Sequence, residues 1–108
     1  MPSVNSALPT MTTMVHEDVN EAIDRLLGPS VWIKQEHRAA IEAEFSDETM
    51  EIVNELLHFS CWPSEIWIKA SSLTAAAKQV EPRIREAYPY LSDRSIELLL
   101  GYACFSWK

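Results

Sequence analysis

The run from Ser92 to Lys108, SDRSIELLLGYACFSWK, constrains this chain more than any other stretch. Ser92 carries a hydroxyl suited to capping a helix, and Asp93 puts negative charge where the helix dipole favours it. Ile96, Leu99, Leu100, Ala103 and Trp107 then recur at helical spacing, and Leu98, Tyr102, Cys104 and Phe105 widen the apolar surface around most of the circumference. A helix apolar on most sides is buried on most sides. No apolar run approaches the roughly 20 residues that a membrane-spanning helix needs. The stretch therefore predicts the central helix of a small bundle with earlier helices wrapped around it. Gly101, at a cost of about 1 kcal/mol relative to Ala inside a helix, marks an expected close helix–helix approach.

The rest of the chain supports an all-α reading. With 108 residues it has the length of one domain. Four Trp, three Tyr and three Phe supply the bulk of a real core. Only two Gly are present, too few for the tight turns of an all-β fold. Residues 1–13, with Pro2 and Pro9 and no periodicity, read as a flexible tail ahead of a single helical domain at 14–108. A first helix is expected from Met14 to Leu27, with Val19, Ala22, Ile23, Leu26 and Leu27 inward and Gly28-Pro29 as its stop. A second is expected from Ser30, its cap, to Glu44, turning Trp32, Ile33, Ala39, Ala40 and Ala43 inward. A third follows cap Ser46 to Ser60, with Met50, Val53, Leu56, Leu57 and Ser60 inward. A short fourth, capped by Ser64, holds Ile66, Trp67 and Ile68. A fifth spans Leu73 to Ala87, with Pro82 predicting a kink or a division into two. The fold class expected is a single-domain, orthogonal bundle of five to six helices around a buried C-terminal helix.

Charge is the sharpest functional signal. The net charge is −7, which argues against direct nucleic-acid binding, because such proteins must neutralise phosphates. An anionic membrane surface is disfavoured for the same reason. The charge is also lopsided. Glu17 to Glu55 holds eleven Asp or Glu against Arg25, Lys34 and Arg38, whereas Leu56 to Lys108 holds five against six basic residues. Like charges at helical spacing repel by a few tenths of a kcal/mol per pair, so stability alone would intersperse Lys. The alternatives are a solvated acidic face without a partner and a surface built to meet and steer a basic protein. Glu48, Glu51, Glu55 and His58, spaced 3, 4 and 3, should line one exposed row. The candidate partner-binding residues are Glu44, Asp47, Glu48, Glu51 and Glu55. Trp62, beside Pro63 at a helix break, is a candidate apolar anchor.

Sequence signals for chemistry are sparse. Glu55-Leu-Leu-His58 has the Glu-x-x-His spacing of di-iron bundles, but the second motif and the further inward Glu ligands are missing, so no metal is expected. His16, His37 and His58 are scattered, no nucleophile turn or glycine-rich phosphate loop is present, and neither catalysis nor a cofactor is expected. Cys61 and Cys104 lack zinc-type spacing and sit among apolar residues, as reduced buried thiols do. With no basic, apolar leader at the N-terminus, a cytoplasmic location is expected.

The segment Ala87-Tyr-Pro-Tyr-Leu-Ser-Asp-Arg-Ser-Ile-Glu-Leu-Leu-Leu-Gly-Tyr-Ala-Cys-Phe-Ser-Trp-Lys108 resembles the end of small helical immunity proteins of contact-dependent growth-inhibition and related polymorphic toxin systems. The likeness is a Tyr-Pro-aromatic-Leu-Ser-Asp connector leading into a Tyr/Trp-rich last helix, and it covers about a fifth of the chain. It implies an antitoxin-like, non-catalytic inhibitor that binds one toxin domain, in many systems a basic nuclease, as a monomer in a 1:1 complex. The family has no universal binding residues to carry over. Two other expectations stand beside it: an acidic nucleic-acid mimic that inhibits a defence protein, and a helical adaptor subunit of a larger assembly.

Overall fold

The computed structural model describes residues 2–62 and 64–107, with side chains from Val15 onward. It contains six helices: α1 (Pro2–Leu27), α2 (Gln35–Glu44), α3 (Asp47–Cys61), α4 (Ser64–Lys69), α5 (Leu73–Ala87) and α6 (Asp93–Ser106). The expected tail at 1–13 falls on residues whose side chains lie outside that description. The helix containing them is assigned from Pro2 rather than from Met14.

Three serines start three helices in the same way. Ser46, Ser72 and Ser92 lie in extended backbone, and their hydroxyls accept from the amides of Thr49, Ala75 and Ser95 at 3.1, 3.1 and 3.0 Å. Each bond satisfies one of the N–H groups that a helix start leaves without an internal partner. Helix α1 stops where expected. Gly28 N–H still donates to the Asp24 carbonyl at 2.8 Å, and Pro29 cannot extend the ladder. A Cβ on Gly28 would lie 2.3 Å from that carbonyl oxygen, so glycine is required here.

The inward stripes of α1 and α3 are those read from the sequence. Val19, Ala22, Ile23, Leu26 and Leu27 are buried, as are Met50, Val53, Leu56, Leu57 and Ser60. Helix α6 packs on α1, α3 and α5, and α3 shares the centre with it by packing on α1, α5 and α6. Ile96, Leu98, Leu99 and Ala103 of α6 are buried, whereas Phe105 on its outer side is 44% exposed. The result is an all-α single-domain bundle. Pro82 sits inside a continuous α5 rather than dividing it. Pro82 and Lys78, whose carbonyl loses its amide partner, are both on the exposed side, where water replaces the missing donor.

The segment before α2 departs from expectation. Ser30 caps no helix. Its hydroxyl accepts from Trp32 N–H at 3.1 Å, closing a local turn, and α2 begins five residues later at Gln35 with Lys34 as an uncapped start. Exposure alternates along this bent segment, with Val31 and Ile33 half-buried and Trp32 and Lys34 outside. That period of two throws Trp32 into solvent at 70% exposure, so it is not the inward residue expected. Ala39, Ala40 and Ala43 are also exposed, and Ile41 alone buries the inner face of α2. Gly101 needs a second correction. A Cβ there would meet only the Val31 side chain at 3.6 Å, an ordinary contact with the segment before α2 rather than a tight helix crossing.

Long-range polar bonds pin the last helix in place. Asn20 of α1 donates to the Tyr90 carbonyl at 3.1 Å and accepts from Ser92 N–H and Ser95 Oγ, both at 2.8 Å. At the other end of α6, Trp107 Nε1–H donates to the Cys61 carbonyl at 2.9 Å. Trp67 of α4, 5% exposed, donates through its indole to the Ser60 carbonyl at 3.0 Å. The start of α6 is thereby fixed to α1, and its end and the short α4 are fixed to α3, which carries the candidate binding face.

Candidate protein-binding face

Helix α3 sets the face. Its inner stripe fixes its rotation, so residues 48, 51, 55, 58 and 62, one ridge at alternating spacings of three and four, point outward. Glu48, Glu51, Glu55, His58 and Trp62 are all exposed. Asp47 and Glu48 occupy the first turn, where the helix dipole stabilises carboxylates, and His58 occupies the last turn, where it suits a cation. Among the described residues, Asp47, Glu48, Glu51 and Glu55 take part in no ion pair. The unbalanced charge read from the sequence thus survives folding on α3.

On α1 and α2 two carboxylates are neutralised, while Glu17, Asp18, Glu21, Glu36 and Glu42 also take part in no ion pair among the described residues. Glu44, the last residue of α2, is paired with Arg25, whose guanidinium pKa is raised by that bond and which also lies 5.8 Å over the Phe45 ring. Asp24 is paired at 3.2 Å with Arg94, a cation contributed by the second half of the chain. Glu44 is therefore a neutralised flank of the face rather than one of its free charges. Sequence counting alone missed this pairing, because Arg25 and Glu44 meet only through the tertiary fold.

Trp62 ends the ridge. It is 52% exposed, with its ring centroid 5.9 Å from His58 and edge-on to Trp107 at 6.2 Å. Its neighbours hold the ring from behind while its outer surface faces solvent. On one side of the ridge, Phe59 packs edge-on against Tyr88 at 5.4 Å, and His16 stacks on Tyr90 at 3.7 Å. Burial pushes the Tyr88 and Tyr90 phenols up, and the negative charge of Glu55 adds to both shifts. On the other side, Arg38, Asn54, Leu57, His58, Trp62 and Tyr102 line a surface groove of 290 Å³. Arg38 Nη1 donates to Asn54 Oδ1 at 3.0 Å.

Three features lie outside the sequence reading. The groove escaped notice because α2, α3 and α6 each supply only part of it. Trp32 escaped as a surface aromatic because its segment was read with helical period. Asn20 escaped because its partners are some 70 residues away. Cys61 and Cys104 are half-buried free thiols, and burial raises both pKa values above the ordinary 9.0, which keeps them protonated and poorly nucleophilic near neutrality. Glu55 and His58 both point to solvent, and among the described residues no three His, Cys, Asp or Glu side chains converge as metal ligands.

Among the described residues, no helix is long and apolar enough to cross a membrane. Comparison with protein-family models, with curated proteins and with solved structures finds no match to this chain.

Proposed function

We propose that this protein is an inhibitor of the immunity-protein kind, which docks on a basic protein domain through the outer ridge of α3. The observation that carries the reading is the run of four unpaired carboxylates, Asp47, Glu48, Glu51 and Glu55, ending at the half-exposed Trp62. Asp47 and Glu48 gain from the helix dipole at the start of α3, but Glu51 and Glu55 lie beyond its first turn, where carboxylates without internal cations repel each other. They do create a field that steers a positively charged surface into contact. An aromatic ring at the end of such a ridge supplies the desolvated anchor that charge alone lacks. The two parts together suit a protein–protein interface better than a solvated face.

The C-terminal likeness to immunity proteins of polymorphic toxin systems supplies the partner class: a toxin domain with a basic substrate cleft, such as a nuclease. Occupying that cleft with α3 excludes the anionic substrate by both bulk and charge. The inhibitor needs no chemistry of its own for this. It acts in the cytoplasm of the producing cell, as one copy per toxin domain.

The experiment begins with affinity capture from the native host, mass spectrometry and an assay of protection against the captured protein's activity. The decisive variant is Glu48→Lys/Glu51→Lys/Glu55→Lys. All three residues are exposed and unpaired, so the fold is retained. Three reversals at roughly 1 kcal/mol each weaken the complex by about 100-fold. Unchanged affinity in a folded triple variant removes the ridge from the interface.

A further inference from the structure

We propose that the groove between α2, α3 and α6 receives an acidic side chain of the protein partner, held by Arg38 with an apolar neighbour packed on Trp62. The inference deepens the reading above and rests on it for the partner being a protein; the chemistry of the groove is argued independently.

Arg25, Arg85 and Arg94 each hold a carboxylate. Arg38 does not, among the described residues; nor does Arg83, which is exposed, whereas Arg38 is half-buried and lines the groove. Its one polar contact is to the neutral amide of Asn54 at 3.0 Å. Arginine has five N–H donors in a planar fork, so this contact orients the guanidinium while most of its donors stay open. A half-buried, oriented guanidinium with open donors matches a carboxylate, which accepts two parallel bonds. The surroundings fit the same ligand. Leu57 is buried, and the Tyr102, Trp62 and His58 rings line the groove with it. The 290 Å³ available is room for about one side chain with part of its backbone.

The position of the groove gives it a role. Its Trp62 and His58 wall is also the end of the acidic ridge. A uniformly basic partner would slide along four carboxylates without a preferred register. A single cation at the end of the ridge penalises every register that brings a partner cation there and favours the one that brings an anion. The partner surface implied is a basic stripe ending in one Asp or Glu beside an apolar residue.

The test uses two peptides on the full chain, N-acetyl-Phe-Glu-amide and N-acetyl-Phe-Gln-amide, followed by NMR at the Trp62 indole N–H. The Glu peptide should move that resonance and bind about tenfold more tightly than the Gln peptide, the usual advantage of a charge-assisted bond. Arg38→Gln should bring the Glu peptide to the level of the Gln peptide. Asn54→Asp, an exposed substitution that offers Arg38 an internal carboxylate, should do the same. Glu48→Gln/Glu51→Gln/Glu55→Gln should leave Glu-peptide binding unchanged or tighten it, because it removes nearby negative charge, while weakening a basic partner. Equal binding of the two peptides, binding indifferent to Arg38→Gln in a folded variant, or no movement of the Trp62 resonance overturns the proposal. A ridge variant that fails to weaken the basic partner refutes the function proposed above and leaves the groove result standing.

Discussion

Asn20→Ala should be among the most damaging polar substitutions in this protein, although Asn20 is only half-buried. Three bonds join it to other elements: one donated to the Tyr90 carbonyl at 3.1 Å, and two accepted at 2.8 Å from Ser92 N–H and Ser95 Oγ. A typical net contribution is about 1 kcal/mol per bond. The substitution also removes the acceptor of the Ser95 hydroxyl, on a residue 1% exposed, and leaves it the Ser92 hydroxyl at 3.1 Å. The fourth bond, to the His16 carbonyl at 3.2 Å, lies within α1 and adds little. The expected loss is about 2–4 kcal/mol. At a urea slope of about 1–1.5 kcal/mol/M, the unfolding midpoint falls by roughly 2 M. Asn20→Asp provides the internal control. A carboxylate still accepts from Ser92 and Ser95 and lies near the start of α6, where negative charge is favourable. It loses the donations to the Tyr90 and His16 carbonyls and should cost about 1 kcal/mol, less than Ala. Urea titration by far-UV circular dichroism reads both variants. An Ala variant within about 0.5 kcal/mol of the parent, or an Asp variant as unstable as Ala, would refute the idea that Asn20 holds α6 in position.

The two glycines should respond oppositely: Gly101→Ala, facing only Val31 at 3.6 Å, gains about 0.5–1 kcal/mol, whereas Gly28→Ala, with a Cβ 2.3 Å from the Asp24 oxygen, loses more than about 1 kcal/mol, both read by urea unfolding. Trp32→Ser, at a site 70% exposed, should leave the melting temperature within the ordinary range for surface changes, whereas Trp67→Phe loses the bond to the Ser60 carbonyl and opens space, costing about 2–3 kcal/mol. Alkaline pH should weaken the fold. Burial raises Cys61, Cys104, Tyr88 and Tyr90 in the native state, so their contribution is complete below the unfolded values, ordinarily 9.0 for Cys and 10.0 for Tyr, and is lost as pH rises through the higher native values. Urea midpoints measured from pH 7 to 11 should therefore fall above about pH 9, and less steeply in Cys61→Ala/Cys104→Ala.

Local signals carried most of the fold. The caps Ser46 and Ser92, the Gly28-Pro29 stop and the stripes of α1 and α3 each depend on neighbours within a turn or two, so they are written in the order of the residues, whereas the cap Ser72 was not read and Ser64, expected to cap α4, is its first residue. The errors fell where two local codes competed. Ser30 has the hydroxyl of a helix cap and the hydroxyl of a tight turn, and the β-branched Val31 and Ile33 on either side of Trp32 tip the balance away from helix. Once that segment turns instead, Trp32 points out and α2 starts only at Gln35. The outward row of α3 was legible because its inward row was unambiguous. Glu44 was not, since its neutralisation by Arg25 depends on how α1 meets α2. The Arg38 groove was invisible for the same reason, as its walls come from residues up to 64 positions apart, Arg38 and Tyr102.

The central claim is that the unpaired carboxylates of α3 guide a basic partner into place. The association rate of the captured partner, measured against ionic strength for the parent and for Glu48→Lys/Glu51→Lys/Glu55→Lys, tests it most directly. Electrostatic steering requires the parent rate to fall steeply as salt shortens the Debye length to about 8 Å, and the triple variant to associate at least tenfold more slowly at low salt with little salt dependence. Equal rates and equal salt slopes for the two proteins would contradict the account.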